Sequence, residues 1–182
     1  PYTFKKLELR SKVSRFAAKY LQVPLIYVNQ IGANDNLIFD GSSFVLDKKG
    51  SKIKQLKSFS EDLSSWEIEQ TKPEKIKFES SEISSIFDAL VLGVRDYAKK
   101  CGFKTALIGL SGGIDSALVS AIATAALGSN NIYCVSMPSK WSSSHSKSDA
   151  KDLARRLNIN FNSIPIENLM TSFEESFIKT ID

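Results

Sequence analysis

From Ser81 onward, short β-branched or apolar runs alternate with longer stretches of helical period, and this alternation limits the fold more than any other feature. Ile83, Ile86, Phe87, Leu90, Val94 and Tyr97 recur at steps of one, three or four, a helical spacing that Gly102 ends. Thr105 to Leu110 reads as a strand, Ile114 to Leu127 as a largely apolar helix closed by Gly128, and Asn131 to Ser136 as a second strand. A helix is expected from Ser146 to Leu157, opened by the capping-box-like Ser146-Lys147-Ser148-Asp149. A third strand follows at Asn162–Ile166 and a further amphipathic helix at Glu167–Ile181. Strand–helix–strand–helix–strand implies a parallel sheet with right-handed crossovers, an α/β, doubly wound architecture.

The first third has a different texture. Leu9, Val13, Phe16, Ala17, Tyr20 and Leu21 give a helix over Lys5–Leu21, stopped by Pro24. Leu25–Val28 has the composition of a buried strand, Gly32-Ala33-Asn34-Asp35 that of a turn, and Leu37–Phe39 and Ser43–Leu46 are strand pieces around Gly41. Asp47-Lys48-Lys49-Gly50 predicts a hairpin turn with Gly50 at positive φ, and Lys52–Phe59 the returning strand. Residues 1–57 carry 11 Lys+Arg against 4 Asp+Glu, whereas the rest carries 13 against 16. The basic residues are scattered among apolar ones in runs of at most two, which favours a solvated surface over a nucleic-acid face. Residues 58–80, rich in Ser, Glu and Lys, read as a connector. No apolar run approaches a membrane span, and two cysteines, Cys101 and Cys134, fit buried thiols in a reduced compartment better than a disulfide scaffold.

The segment Gly109-Leu110-Ser111-Gly112-Gly113-Ile114-Asp115-Ser116 runs from a strand's carboxyl end into a helix. That is where open α/β sheets bind ligands, and a helix start offers unpaired N–H groups to a phosphate. Gly112 and Gly113 let the backbone approach an anion, Ser111 and Ser116 add hydroxyls, and Asp115 makes sense once Mg²⁺ joins the phosphate oxygens. The spacing is neither that of a Walker A loop nor that of a dinucleotide-binding Gly-x-Gly-x-x-Gly. A bare glycine turn before a helix is the plain alternative.

Taken whole, Ser-Gly-Gly-Ile-Asp-Ser after a strand resembles the pyrophosphate-binding loop of the N-type ATP pyrophosphatases. Met137-Pro138-Ser139-Lys140-Trp141-Ser142-Ser143, then Ser146 and Asp149-Ala150, is similar to the Met-Pro-Ser-Arg-Tyr-Ser-Ser…Ser…Asp-Ala run of NAD synthetases. Lys140 and Trp141 depart from the usual Arg and Tyr. Pro24 to Phe44 resembles the late part of the nitrilase-like glutaminase domain fused ahead of the synthetase in the glutamine-dependent members. Pro1-Tyr2 resembles the end of the family's Ser-Pro-Tyr stretch, and Lys6 then occupies the position of a lysine that helps hold glutamine. Lys5 stands where that family has Gly, and a solvated helix-start lysine is the other reading of Lys6.

The resemblance implies three parts: 1–57, the C-terminal portion of a nitrilase-like α/β sandwich; 58–80, a connector; and 81–182, the start of a doubly wound ATP pyrophosphatase domain. It implies ATP-dependent amidation of deamido-NAD through an adenylate, with glutamine supplying ammonia and residues 109–116 gripping ATP. It also implies Mg²⁺ on Asp115, adenine near Val135–Met137, a cytoplasmic setting, a homo-oligomer, and no nucleic-acid or membrane partner. The family's glutaminase Glu, Lys and Cys are not matched by residues here and are expected upstream, so no catalytic residue is assigned in this chain. His145, the only histidine, reads as a solvated loop residue. Opening on Pro1, the chain is expected to be a piece of a longer enzyme and not to make NAD by itself. A GMP synthetase-like amidotransferase and a passive adenine-nucleotide-binding module are the rival readings.

Overall fold

The computed structural model describes residues 1–68 and 81–181; residues 69–80 of the expected connector lie outside the described residues. Two compact units are present, Pro1–Tyr97 and Ala98–Asp182.

The first unit opens with helix α1 (Lys6–Leu21), followed by strands β1 (Leu25–Tyr27), β2 (Ile31–Asn34), β3 (Leu37–Asp40), β4 (Phe44–Leu46) and β5 (Lys52–Gln55). β1, β4 and β5 form an antiparallel sheet and β2–β3 a separate hairpin. The turn expected over Gly32–Asp35 lies later: pairing runs on to Asn34↔Leu37, and the two-residue loop Asp35-Asn36 reverses the chain, with Asp35 at φ 48°. Aspartate tolerates that left-handed conformation, so Gly32 and Ala33 are released to the strand. The Asp47–Gly50 turn forms as expected, with Gly50 at φ 76° and the Asp47 carboxylate accepting from the Lys49 and Ser51 N–H groups.

Helix α1 corrects the expected apolar stripe. Its buried residues are Arg10, Ser14 and Ala18, while Leu9, Val13, Phe16, Tyr20 and Leu21 are exposed. Ala18 packs with Phe44 and Leu46, close enough for the helix to lie against β1 and β4. Small inward residues also let Arg10 reach Asp40: Nη1 donates to both carboxylate oxygens at 2.8 and 3.0 Å, and Nη2 to the Pro1 carbonyl at 3.0 Å. Both side chains are nearly fully buried, at 8% and 4% exposure. Asn29 Nδ2 donates to Asp40 Oδ1 and to the Gly41 carbonyl, and the Arg10 guanidinium lies 6.0 Å from the Tyr27 ring, itself stacked on Phe44.

Helix α2 (Glu82–Cys101) begins in this unit. Ala89 and Leu92 are buried, Gly93 sits against Ile38, and Asp96 accepts from the Ala33 N–H at 2.8 Å. Its end is capped as expected: Gly102 at φ 74° lets the Phe103 N–H reach the Ala98 carbonyl and its own N–H that of Lys99.

The second unit contains β6 (Ala106–Gly109), α3 (Ile114–Leu127), β7 (Ile132–Ser136), α4 (Ser144–Leu157), β8 (Asn160–Ser163) and α5 (Glu167–Ile181). The strands are parallel in the order β6-β7-β8. Period-two alternation places Ile108, Ile132, Cys134 and Phe161 with Leu110, Ala123, Ala150 and Ala154 in one core. The crossover helices α3 and α4 touch each other and share that face. Leu107 and Tyr133, which point the other way, are exposed. The parallel α/β sheet is therefore formed, while neither crossover supplies the second helix layer of a doubly wound sheet.

Three local expectations shift. Helix α4 starts two residues early, because Ser143 rather than Ser146 caps it and accepts from the Ser146 N–H at 3.0 Å. β8 ends before Pro165, which has no N–H for a ladder. Cys134 is buried as expected, but Cys101 is exposed at the end of α2.

Asp40→Ala leaves the Arg10 cation buried without its partner and is expected to cost about 3–5 kcal/mol in urea unfolding. The double variant Arg10→Met/Asp40→Leu should recover most of that loss; simple addition of two single losses would show that the pair is not coupled.

Candidate functional site

The loop after β6 leaves the sheet in a fixed way. Leu110 is buried, and its N–H donates to the Val135 carbonyl at 2.9 Å, so the loop starts as an extension of the ladder. Beyond it the two serines tie the turn. Ser111 Oγ and Ser116 Oγ lie 3.1 Å apart, the Gly113 N–H donates to Ser111 Oγ at 3.2 Å, and Ser116 Oγ donates to the Gly113 carbonyl at 3.0 Å. The Ser111 N–H points to Ser116 Oγ at 3.3 Å. Ile114, Asp115 and Ser116 form the first turn of α3, and among the described residues no side chain caps that helix start.

Gly112 is the tightest point. At φ 87° it adopts a conformation costly for any side chain, and a Cβ there would overlap the Ser146 carbonyl oxygen and lie 2.8 Å from that residue's carbonyl carbon and Cα. The backbone of the glycine loop thus rests directly on the first turn of α4. Between them and the ends of β6 and β7 is a cavity of about 230 Å³. It is lined by Gly109, Leu110 and Ser111 on one side, by Val135, Ser136, Met137 and Pro138 at the second strand, and by Ser142, Ser146 and Lys147 at α4. The Met137–Ser143 run is itself folded: Ser142 Oγ accepts from the Ser139 N–H at 3.0 Å, and Ser139 Oγ from the Trp141 N–H at 3.2 Å.

The expected ATP residues 109–116 are thus contiguous with one cavity, though in different ways. Gly109, Leu110 and Ser111 line it, Gly112 packs on α4, and Gly113 to Ser116 start α3. Asp115 and Ile114 are exposed and do not line it. The Asp115 side chain makes no hydrogen bond or ion pair with the described residues, and no group of three His, Cys, Asp or Glu side chains with metal-binding geometry occurs among them. His145 is exposed, but on the first turn of α4 rather than in a loop. Lys147 was not singled out by its sequence. The signal was present in the spacing, since a cap at Ser143 puts Lys147 one turn into α4.

Lys6 lies in the first unit, half-buried at the start of α1, its N–H bonded to the Thr3 carbonyl. A neighbouring hollow of about 370 Å³ is lined by Tyr2, Thr3, Lys5 and Glu8 among others, and not by Lys6. Lys5 caps the helix at φ 61°, a conformation that glycine adopts without strain.

Comparison with known proteins sharpens this geometry. The NAD synthase family profile matches residues 86–182. The glutamine-dependent NAD(+) synthetase of Synechocystis sp. is 45% identical over 98% of this chain, and that of Rhodobacter capsulatus 41% over 96%. In both cases the chain spans 33% of the relative's length. A solved glutamine-dependent NAD+ synthetase from Acinetobacter baumannii, in complex with adenosine diphosphate, superimposes with a TM-score of 0.91 at 36% identity, covering 99% of this chain and 35% of that one. One from Cytophaga hutchinsonii, at 17% identity and a TM-score of 0.85, shares the fold.

Gly112→Ala should destabilise the second unit by at least about 2 kcal/mol, from backbone strain and overlap with Ser146 together. Gly128→Ala is the control, for it has a similar φ of 85° with nothing within 4 Å. Equal losses in thermal unfolding would remove the close approach to α4 as the cause.

Proposed function

The chain belongs to the NAD synthase family, and we propose that the protein carrying it converts deamido-NAD to NAD with ATP, drawing ammonia from glutamine. The observation that carries this reading is the glycine loop at the end of β6, seated on α4 around one cavity, in a chain 45% identical to a glutamine-dependent NAD(+) synthetase.

The nicotinate carboxylate of deamido-NAD attacks the α-phosphorus of ATP, and the bond to the bridging oxygen breaks to release pyrophosphate. Ammonia then attacks the acyl carbon of the adenylate, AMP leaves with the former carboxylate oxygen, and the amide remains. The chain's part is positioning and charge neutralisation. The N–H groups of Gly112, Ile114 and Asp115 and the hydroxyls of Ser111 and Ser116 receive the leaving pyrophosphate, and adenine lies against Val135–Met137. Asp115 fits a magnesium ligand: its carboxylate is exposed, has no hydrogen bond or ion pair with the described residues, and stands on the first turn beside the loop. One carboxylate plus phosphate oxygens is an ordinary magnesium shell, and the ion would neutralise phosphate charge.

Residues 1–57 are read as the nitrilase-like glutaminase portion, 58–80 as the connector and 81–182 as the synthetase portion, in which the second face of the sheet is covered to make it doubly wound. The family match beginning at residue 86 supports that division. Residues 1–57 contain no cysteine, and no glutaminase nucleophile, Glu or Lys is assigned among them. Lys6 is assigned to glutamine. The working form is a homo-oligomer in the cytoplasm, and no described helix is long and apolar enough to cross a membrane.

With magnesium, ATP, deamido-NAD and glutamine, the protein should yield NAD, AMP and pyrophosphate in equal amounts, whereas xanthosine monophosphate should support no exchange of pyrophosphate into ATP. Asp115→Asn should lower turnover by about a hundredfold or more. Turnover of xanthosine monophosphate would replace this reading by another amidotransferase, and full activity of Asp115→Asn would remove the magnesium assignment.

A further inference from the structure

We propose that Lys147 is the cation that binds the phosphate chain of the nucleotide in this cavity, a role that rests on the nucleotide-binding reading above and adds a residue to it. Among the described residues, Lys147 is the only charged residue lining the cavity. The remaining lining is backbone, hydroxyl and apolar, so a polyphosphate of several negative charges would meet hydrogen-bond donors there with no other fixed positive side chain.

The other basic residue nearby, Lys140, is engaged elsewhere. Its Nζ lies 3.8 Å from Glu174 Oε1 on α5 and 5.5 Å from the centre of the Trp141 ring, and it does not line the cavity. Lys147 has no ion pair among the described residues, and its position is set by rigid structure. Ser143 caps α4, the Lys147 N–H points back to the Ser143 carbonyl at 3.4 Å, and the preceding residue, Ser146, is the one that abuts Gly112. The ammonium is therefore carried by the same turn that supports the glycine loop. A flexible lysine with three donors suits phosphate oxygens as a point charge.

The test separates charge recognition from a structural role. Binding of ATP, inorganic pyrophosphate and adenosine to the protein, to Lys147→Gln and to Lys147→Arg is measured by calorimetry at two salt concentrations. Lys147→Gln should weaken ATP and pyrophosphate about tenfold, a loss of one charge-assisted contact, leave adenosine unchanged and flatten the salt dependence. Lys147→Arg should stay close to the parent. Unchanged pyrophosphate affinity in Lys147→Gln would overturn the assignment, as would an equal loss for adenosine, which would mark a collapsed cavity. Failure of the unaltered protein to bind ATP or pyrophosphate would overturn the nucleotide reading itself and Lys147's role with it.

Discussion

The second unit turns on one backbone-to-backbone approach, Gly112 against Ser146. It joins the loop that leaves β6 to the helix that follows β7, and so brings the starts of α3 and α4 to one place. Each helix start carries partial positive charge and unpaired N–H groups. A side chain at position 112 would hold the two apart, and the cavity between them would lose its wall. The serine bonds within residues 111–116 then have a narrower task, which is to keep the turn from relaxing when its amides face solvent.

The order of strands and helices beyond residue 81 was legible because apolar periodicity is dictated by the sheet and by helix packing, both of which the residue spacing records. So was the glycine loop, since two glycines between a strand and a helix have few uses. The cavity's far wall was harder to read. Ser143 and Ser146 are both plausible caps for α4, and only the structure shows that Ser143 accepts the Ser146 N–H, which decides where Lys147 stands. Cys101 misled for another reason: the sequence places it at the end of its helix before Gly102 but does not say whether that last turn is covered, and the thiol meets water.

In the first unit the physical demand is electrostatic. A cation and a carboxylate taken out of water need each other and further donors, and Arg10, Asp40, Asn29 and the Pro1 carbonyl supply them. That network explains why α1 turns its small and charged face inward. Helical spacing alone assigns the apolar residues to the core, because amphipathicity identifies two faces and names the drier one by default. Here an ion pair and close packing at Ala18 took precedence.

The outward face of α1 has a colloidal consequence. Leu9, Val13, Phe16 and Tyr20 form a continuous oily ridge, with Phe16 and Tyr20 stacked 6.0 Å apart, and α5 shows a similar ridge at Leu169, Phe173 and Phe177. Water in contact with such ridges favours any encounter that removes it, and a net charge of +4 on 182 residues provides only weak repulsion at ordinary salt. In solution this chain is expected to stick to itself and to surfaces, most of all at high salt and high concentration.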